Sequence, residues 1–155
     1  MRILRGVIRL ATQDDAADVT RLMIAFRNWW RRDEPGDEVF EAGVRRLLAD
    51  PNTDYLLAGD PAVGVCGLRY RFALWTGAED CCLEDLFVDP EARRSGLGRA
   101  LVEAAFKRAR QRGCARIELD ANEANGAAAA LYRSLGFESW SDPPGGNNLL
   151  MRRRL

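Results

Sequence analysis

Between Leu83 and Phe106 the chain reads LEDLFVDPEARRSGLGRALVEAAF, and this stretch constrains the fold more than any other. The opening LEDLFV has strand composition and stops at Asp89-Pro90, where proline cannot donate to a ladder. Leu97, Leu101, Ala104 and Ala105 then recur at helical spacing, and Val102, Phe106 and Ala109 widen the apolar face. A helix with so broad an apolar face packs on a sheet. Between strand and helix lies Arg93-Arg94-Ser95-Gly96-Leu97-Gly98. Gly96 and Gly98 permit positive φ and close backbone approach. The helix start leaves N–H groups unsatisfied and carries the positive end of the dipole. With two arginines beside it, this is a physical recipe for holding a pyrophosphate.

Two phosphate-binding patterns are disfavoured. A P-loop needs Lys and then Ser or Thr after its second glycine, but Arg99-Ala100 follows Gly98. A dinucleotide fingerprint needs a third small residue where Leu101 stands, and an earlier place in the chain.

The remaining elements follow from periodicity. Val7 to Ala11 reads as a short strand, and Thr12 with Asp15 as a capping-box start. Val19, Leu22, Met23 and Phe26 predict a helix from about Asp14 to Trp30. Val39, Phe40, Val44, Leu47 and Leu48 predict a second, ending before Pro51. Tyr55 to Ala58 and Val63 to Leu74 read as a strand pair joined at Asp60-Pro61-Ala62, and Cys81 to Val88 as a third strand. Glu103 and Lys107 are spaced for an exposed helical pair, and Gly113 terminates that helix. Ala115 to Ala121 alternates as a strand with one buried face, and a short helix spans about Asn125 to Leu135. Phe137 to Trp140 and Leu149 to Arg153, around a Pro-Pro-Gly-Gly-Asn-Asn loop, suggest a closing hairpin. The order predicts an α/β or α+β layer fold with a mixed, mostly antiparallel sheet.

Composition closes several routes. Lys plus Arg and Asp plus Glu both number 23, so no excess positive charge recommends a nucleic-acid partner. Histidine is absent, which excludes Ser–His–Asp and Cys–His machinery and a histidine base. Cys66, Cys81, Cys82 and Cys114 form no C-x-x-C pair, so no metal site is expected. They read as small buried hydrophobes in a reducing cytoplasm. No apolar run approaches a membrane span, and the N-terminus lacks a signal-peptide core.

The pattern Arg93-x-x-Gly96-x-Gly98 after a strand ending Val-Asp-Pro resembles the GNAT superfamily of N-acetyltransferases. Downstream, NEANGAAAALYRSLGF from Asn122 to Phe137 resembles that family's second cofactor motif. The resemblance implies a GNAT-like sheet with helices on both faces and one N-acetyltransferase domain over residues 1–155. It implies acetyl-CoA as cosubstrate, no metal, and a homodimer as a common state. The strand before the turn would splay from its neighbour. The backbone of Leu86, Phe87 and Val88 would then hold the pantetheine arm and polarise the acetyl carbonyl. The pyrophosphate would lie on Arg93, Arg94, Ser95, Gly96, Leu97, Gly98 and Arg99. Ser95 stands where the family frequently has glycine. Asn125 matches an asparagine on the cofactor arm, and Tyr132 the tyrosine that protonates the departing thiolate. LEDLFV resembles small-amine and polyamine acetyltransferases, in which the residue matching Glu84 is a candidate base.

Each assignment has a plainer counterpart. Tyr132 shares a stripe with Ala128, Ala129 and Leu135 and equally suits a packed tyrosine with a bonded hydroxyl. Asn125 suits an N-cap, which is compatible with a cofactor contact. Glu84 and Asp85 face opposite sides of a regular strand; a base there is Glu84 or a water chain. Trp29, Trp30, Asp33, Glu34 and Asp37 surround the first helix–helix connection, where the family shapes its acceptor site. Aromatic faces and carboxylates suit a cationic amine, with Trp29, Glu34, Glu84 and Asp85 as substrate-side candidates. The expected reaction is direct attack by a small primary amine on acetyl-CoA. A peptide, protein N-terminus or lysine is the alternative acceptor, and a non-catalytic acyl-CoA-sensing module the alternative class.

Overall fold

The period-2 stretches become one antiparallel meander. In this computed structural model, which describes residues 7–141 and 145–155, β1 (Ile8–Leu10) pairs with β2 (Thr53–Ala58). Next come β3 (Gly64–Ala73) and β4 (Ala78–Val88), each antiparallel to its predecessor. The last strand, β5 (Arg116–Glu118), lies parallel to β4, so the sheet order is β1-β2-β3-β4-β5. The mixed, mostly antiparallel architecture is the expected one. The chain divides into two compact units, one through Asp120 and the other from Ala121 to Leu155.

In the first unit, helices cover both faces of the sheet. Helices α1 (Ala16–Trp29) and α2 (Asp37–Ala49) bury Val19, Leu22, Met23 and Val44 against Tyr55, Leu57, Val65 and Phe87. On the other face lies α3 (Leu97–Gln111), which buries Leu97, Leu101, Val102, Ala105 and Ala109 along one stripe. The fit of α3 against the sheet is close. A Cβ on Gly64 would stand 3.1 Å from Leu101 Cδ1 and 3.4 Å from Val88 Cγ2. Fully buried side chains such as Leu22, Leu57, Leu68 and Leu101 contribute ~1.5–3 kcal/mol each.

Polar groups hold the other end of α3. Arg108 donates to Asp54 at 2.7 Å, and the Tyr70 hydroxyl donates to the same carboxylate at 2.8 Å. The Arg112 guanidinium stacks over the Tyr70 ring at 3.9 Å and pairs with Glu79.

Several boundaries differ from expectation. A 3-10 turn at Gln13–Asp15 precedes α1, with the predicted capping box on Thr12 and Asp15. β4 begins three residues before the expected Cys81, because Ala78, Glu79 and Asp80 continue the ladder opposite β3. β5 spans only Arg116–Glu118 and is half-buried at best, since a single partner covers it over so short a register. Glu103 pairs with Arg99 at 4.0 Å, on the turn before it, instead of with the expected Lys107 on the turn after; exposed pairs this weak have little energy to choose between turns.

In the second unit, α4 (Gly126–Ser134) starts on an Asn125 cap and ends before left-handed Gly136, as expected. The closing hairpin is not formed among the described residues. Residues 137–141 and 147–155 lie in no ladder, and Leu149, Leu150 and Met151 are exposed. Without a face to bury, a two-stranded pairing has little to stabilise it. Pro143 and Pro144 lie outside the described residues.

Candidate active site

Three features of the first unit converge around the end of β4. The first is an open edge. β4 pairs with β5 only from Asp80 to Cys82, so among the described residues Leu83 to Val88 have no partner on that side. The unpaired edge begins because β5 ends at Glu118, and it lies where the resemblance expects the strand to splay. The Asp89 N–H donates to Val63 O across to β3 at 2.8 Å. By antiparallel alternation the N–H and C=O of Leu86 and Val88 point to the open edge, whereas those of Phe87 are committed to β3. Of the three backbone segments implied for the cofactor arm, two face the opening.

The second feature is the loop into α3. Gly96 is the N-cap and sits in the left-handed region at φ 82. Gly98 lies in the first helical turn with no positive φ, so its expected freedom is not used there. The other left-handed residue is Arg94, at φ 60, while Ser95 has no positive φ and donates its hydroxyl to Ala92 O. Among the described residues the N–H groups of Arg94 to Gly98 donate to no protein acceptor. No side chain caps the helix and its first turn holds no acidic residue. A Cβ built on Gly96 meets nothing within 4 Å. Open space before uncapped amides at a positive helix end fits an anion such as a diphosphate.

The arginines divide their roles. Arg93 donates from Nε to Val88 O at 2.9 Å. Its guanidinium lies 5.3 Å from the Trp29 ring and 5.6 Å from the Phe87 ring. Arg94 forms no ion pair among the described residues. Arg99 reaches Glu103.

The third feature is an aromatic and acidic patch on the α1–α2 face. Phe26 stacks on Phe87 with centroids 5.3 Å apart, and Trp29 meets Trp30 edge-on at 4.8 Å. Both tryptophans are partly exposed rather than core residues. Asp37 is tied to Arg27 at 2.8 Å, and Glu34 is exposed in the loop before α2. Opposite Gly67 the β3–β4 register shifts, leaving Glu84 with no partner residue. This bulge separates the two carboxylates in an unexpected way. Glu84 is exposed, while Asp85 is half-buried and pairs across Gly67, beside Tyr55. Burial pushes the Asp85 carboxyl up to about 6, and the Glu84 charge adds to the effect. Burial likewise raises the Tyr55 hydroxyl.

In the second unit, the Asn125 side chain accepts from the Ala128 N–H at 3.3 Å, the expected cap. Tyr132 lies on α4 and meets the Phe137 ring edge-on at 5.7 Å.

Sequence reasoning did not single out Tyr55, Gly67 or Phe26. A signal for the bulge was present: Cys81 and Leu83 continue on the α3 face as Leu86 and Val88, a step of three where a regular strand needs two. Among the described residues, no three or more His, Cys, Asp or Glu side chains gather as a metal site. No described helix is long and apolar enough to cross a membrane.

Comparison with known proteins bears on the family and the fold. A profile described as the Acetyltransferase (GNAT) family matches residues 17–137. An aminoglycoside N(6')-acetyltransferase type 1 of Stenotrophomonas maltophilia is 32% identical over 137 residues, covering 84% of this chain and 85% of the relative. A mycothiol acetyltransferase of Thermobispora bispora is 52% identical over 54 residues, 35% of this chain. That match spans only 18% of the length of the mycothiol enzyme. The crystal structure of a putative acetyltransferase from Arthrobacter sp. FB24 superposes with a TM-score of 0.84 at 30% identity, covering 100% of this chain and 99% of the other.

Proposed function

The chain belongs to the GNAT acetyltransferase family, and on that premise we propose that it moves an acetyl group from acetyl-CoA to a primary amine of a small molecule by direct attack. The observation that carries the reading is the uncapped start of α3 behind left-handed Gly96, next to the open edge of β4. In this reading the amides from Arg94 to Gly98, with Arg93, Arg94 and Arg99, hold the diphosphate. Leu86, Phe87 and Val88 line the pantetheine arm, and Asn125 contacts it. The Val88 N–H stabilises the oxyanion that develops on the acetyl carbonyl.

An alkyl ammonium has a pKa of about 10, so freeing its lone pair at pH 7 costs ~4 kcal/mol. A carboxylate on β4, Glu84 or Asp85, lowers that cost by accepting the proton. The Tyr132 phenol supplies a proton to the departing sulfur. Trp29 and Glu34 lie on the acceptor side, where aromatic faces and negative charge favour a cation. The name of the Stenotrophomonas relative supports an aminoglycoside acceptor. The two units act as one acetyltransferase domain in this proposal. The free cysteines suit the reducing cytoplasm, and a homodimer is checked by light scattering.

The test is thiol release from acetyl-CoA with a panel of polyamines, aminoglycosides and short peptides. Release with a small amine is the expected outcome. Release with peptides alone reassigns the acceptor. Binding of acetyl-CoA with no turnover on any amine identifies a sensing module, and no binding at all refutes the proposal.

A further inference from the structure

The bulge in β4 decides which of two adjacent carboxylates serves the acceptor. Had alternation continued unbroken from Cys81 and Leu83, Asp85 would have joined them on the α3 face, with Glu84 on the α1–α2 face. The extra residue at Glu84 moves Asp85 off that face: Asp85 pairs across Gly67 and Phe87 across Val65, both facing α1 and α2. Gly67 makes room for the arrangement. A Cβ there would lie 3.1 Å from Tyr55 Cε1 and 3.4 Å from Asp85 Oδ2, so the two side chains share the space that glycine leaves.

Among the described residues, neither the Asp85 carboxylate nor the Tyr55 hydroxyl has a hydrogen-bond or ion-pair partner. A half-buried carboxylate with no cation is costly, which marks it as a candidate functional group. The side chains of α1 and α2 packed with Tyr55 and Phe87 are apolar: Val19, Met23, Phe26 and Phe40 among them. The ionisable groups bearing on this spot are Glu84, Tyr55 and, near Tyr55, Arg69. Phe87 follows Asp85 on the same face, and the next residue, Val88, turns its N–H to the open edge.

Resting on the acetyl-transfer reading, we infer that Asp85, rather than Glu84, receives the cationic amine and takes its proton. The Asp85 carboxylate accepts one proton from the ammonium. The freed lone pair forms the N–C bond at the acetyl carbonyl, and the C–S bond breaks with its electron pair leaving on sulfur. The second N–H proton ends on the thiolate, and Asp85 returns its own to water.

The experiment is the pH profile of kcat/KM with a polyamine, on the wild type and on Asp85→Asn, Asp85→Glu and Glu84→Gln. The wild type shows an acid limb near 6, with activity rising as Asp85 ionises. Asp85→Asn loses the limb, falls at least about 100-fold at pH 7 and then follows free-amine concentration upward. It binds acetyl-CoA as the wild type does, with a melting temperature equal to or above it. Asp85→Glu restores part of the rate. Glu84→Gln keeps the limb but moves it lower, because a charge that raises the Asp85 carboxyl is gone. A wild-type rate and limb in Asp85→Asn, or a melting loss with lost acetyl-CoA binding, overturns the assignment alone. A wild type that neither binds acetyl-CoA nor acetylates any amine overturns the acetyl-transfer reading and this assignment with it.

Discussion

Gly96 shows how one backbone conformation sets up chemistry. At φ 82 it turns the chain so that the first amides of α3 face open space, and a side chain there meets no protein atom. The left-handed conformation disfavours any Cβ by ~1–2 kcal/mol. Gly96→Val therefore adds backbone strain and a branched group in front of the amides. Calorimetry is expected to show acetyl-CoA affinity at least about tenfold weaker, the equivalent of 1.4 kcal/mol. Undiminished affinity would count against the loop assignment. Gly96 and Asn125 were legible as residues because local geometry demands them. Asp85 was not, because its direction depends on a register shift against β3 rather than on its neighbours in sequence.

The start of α1 is an element that rests on one acid. Asp15 accepts both terminal nitrogens of Arg9, at 2.7 and 2.8 Å, and the Thr12 N–H at 2.8 Å. The Arg9 guanidinium first, and the Thr12 amide second, hold its carboxyl down at about 2 from 3.8. A depressed folded pKa means the contribution is complete above 3.8 and lost as pH falls through about 2. Asp15→Asn is expected to cost about 1 kcal/mol at pH 7, a modest value because Arg9 is 44% exposed. Urea unfolding should show that difference shrinking between pH 4 and pH 2, on the order of the window these values set. A cost independent of pH would assign the effect to the cap alone. Helix positions were readable because apolar spacing and caps are local. The length of β5 was not, since alternation in Ala115 to Ala121 does not report how far a partner strand runs beside it.

Across the whole molecule the thiols report on the core. Cys66 and Cys81 are buried at the sheet face under α3, and burial is the main cause that raises both, Cys81 to about 12. Cys82 is raised to about 11 by the same cause. A thiol reacts as thiolate, so native protein at pH 8 should alkylate at Cys66 and Cys81 at least about tenfold more slowly than in denaturant. Peptide mass mapping after iodoacetamide checks this. Fast native labelling of Cys66 would mean that the α3 face opens readily, contrary to the packing of Leu101 and Val102 over it.

Chemistry confined to a few consecutive residues was already present in the chain as written. The glycine turn, the helix it opens, the absence of histidine and the acidic pair on one strand follow from residue type and spacing, because caps, periodicity and backbone freedom act over a single turn or pleat. Which carboxylate faces the aromatic side and which amides border the open edge depend on how β4 meets its neighbouring strands in register. A one-residue bulge reverses every side chain beyond it, so those outcomes belong to the assembled sheet.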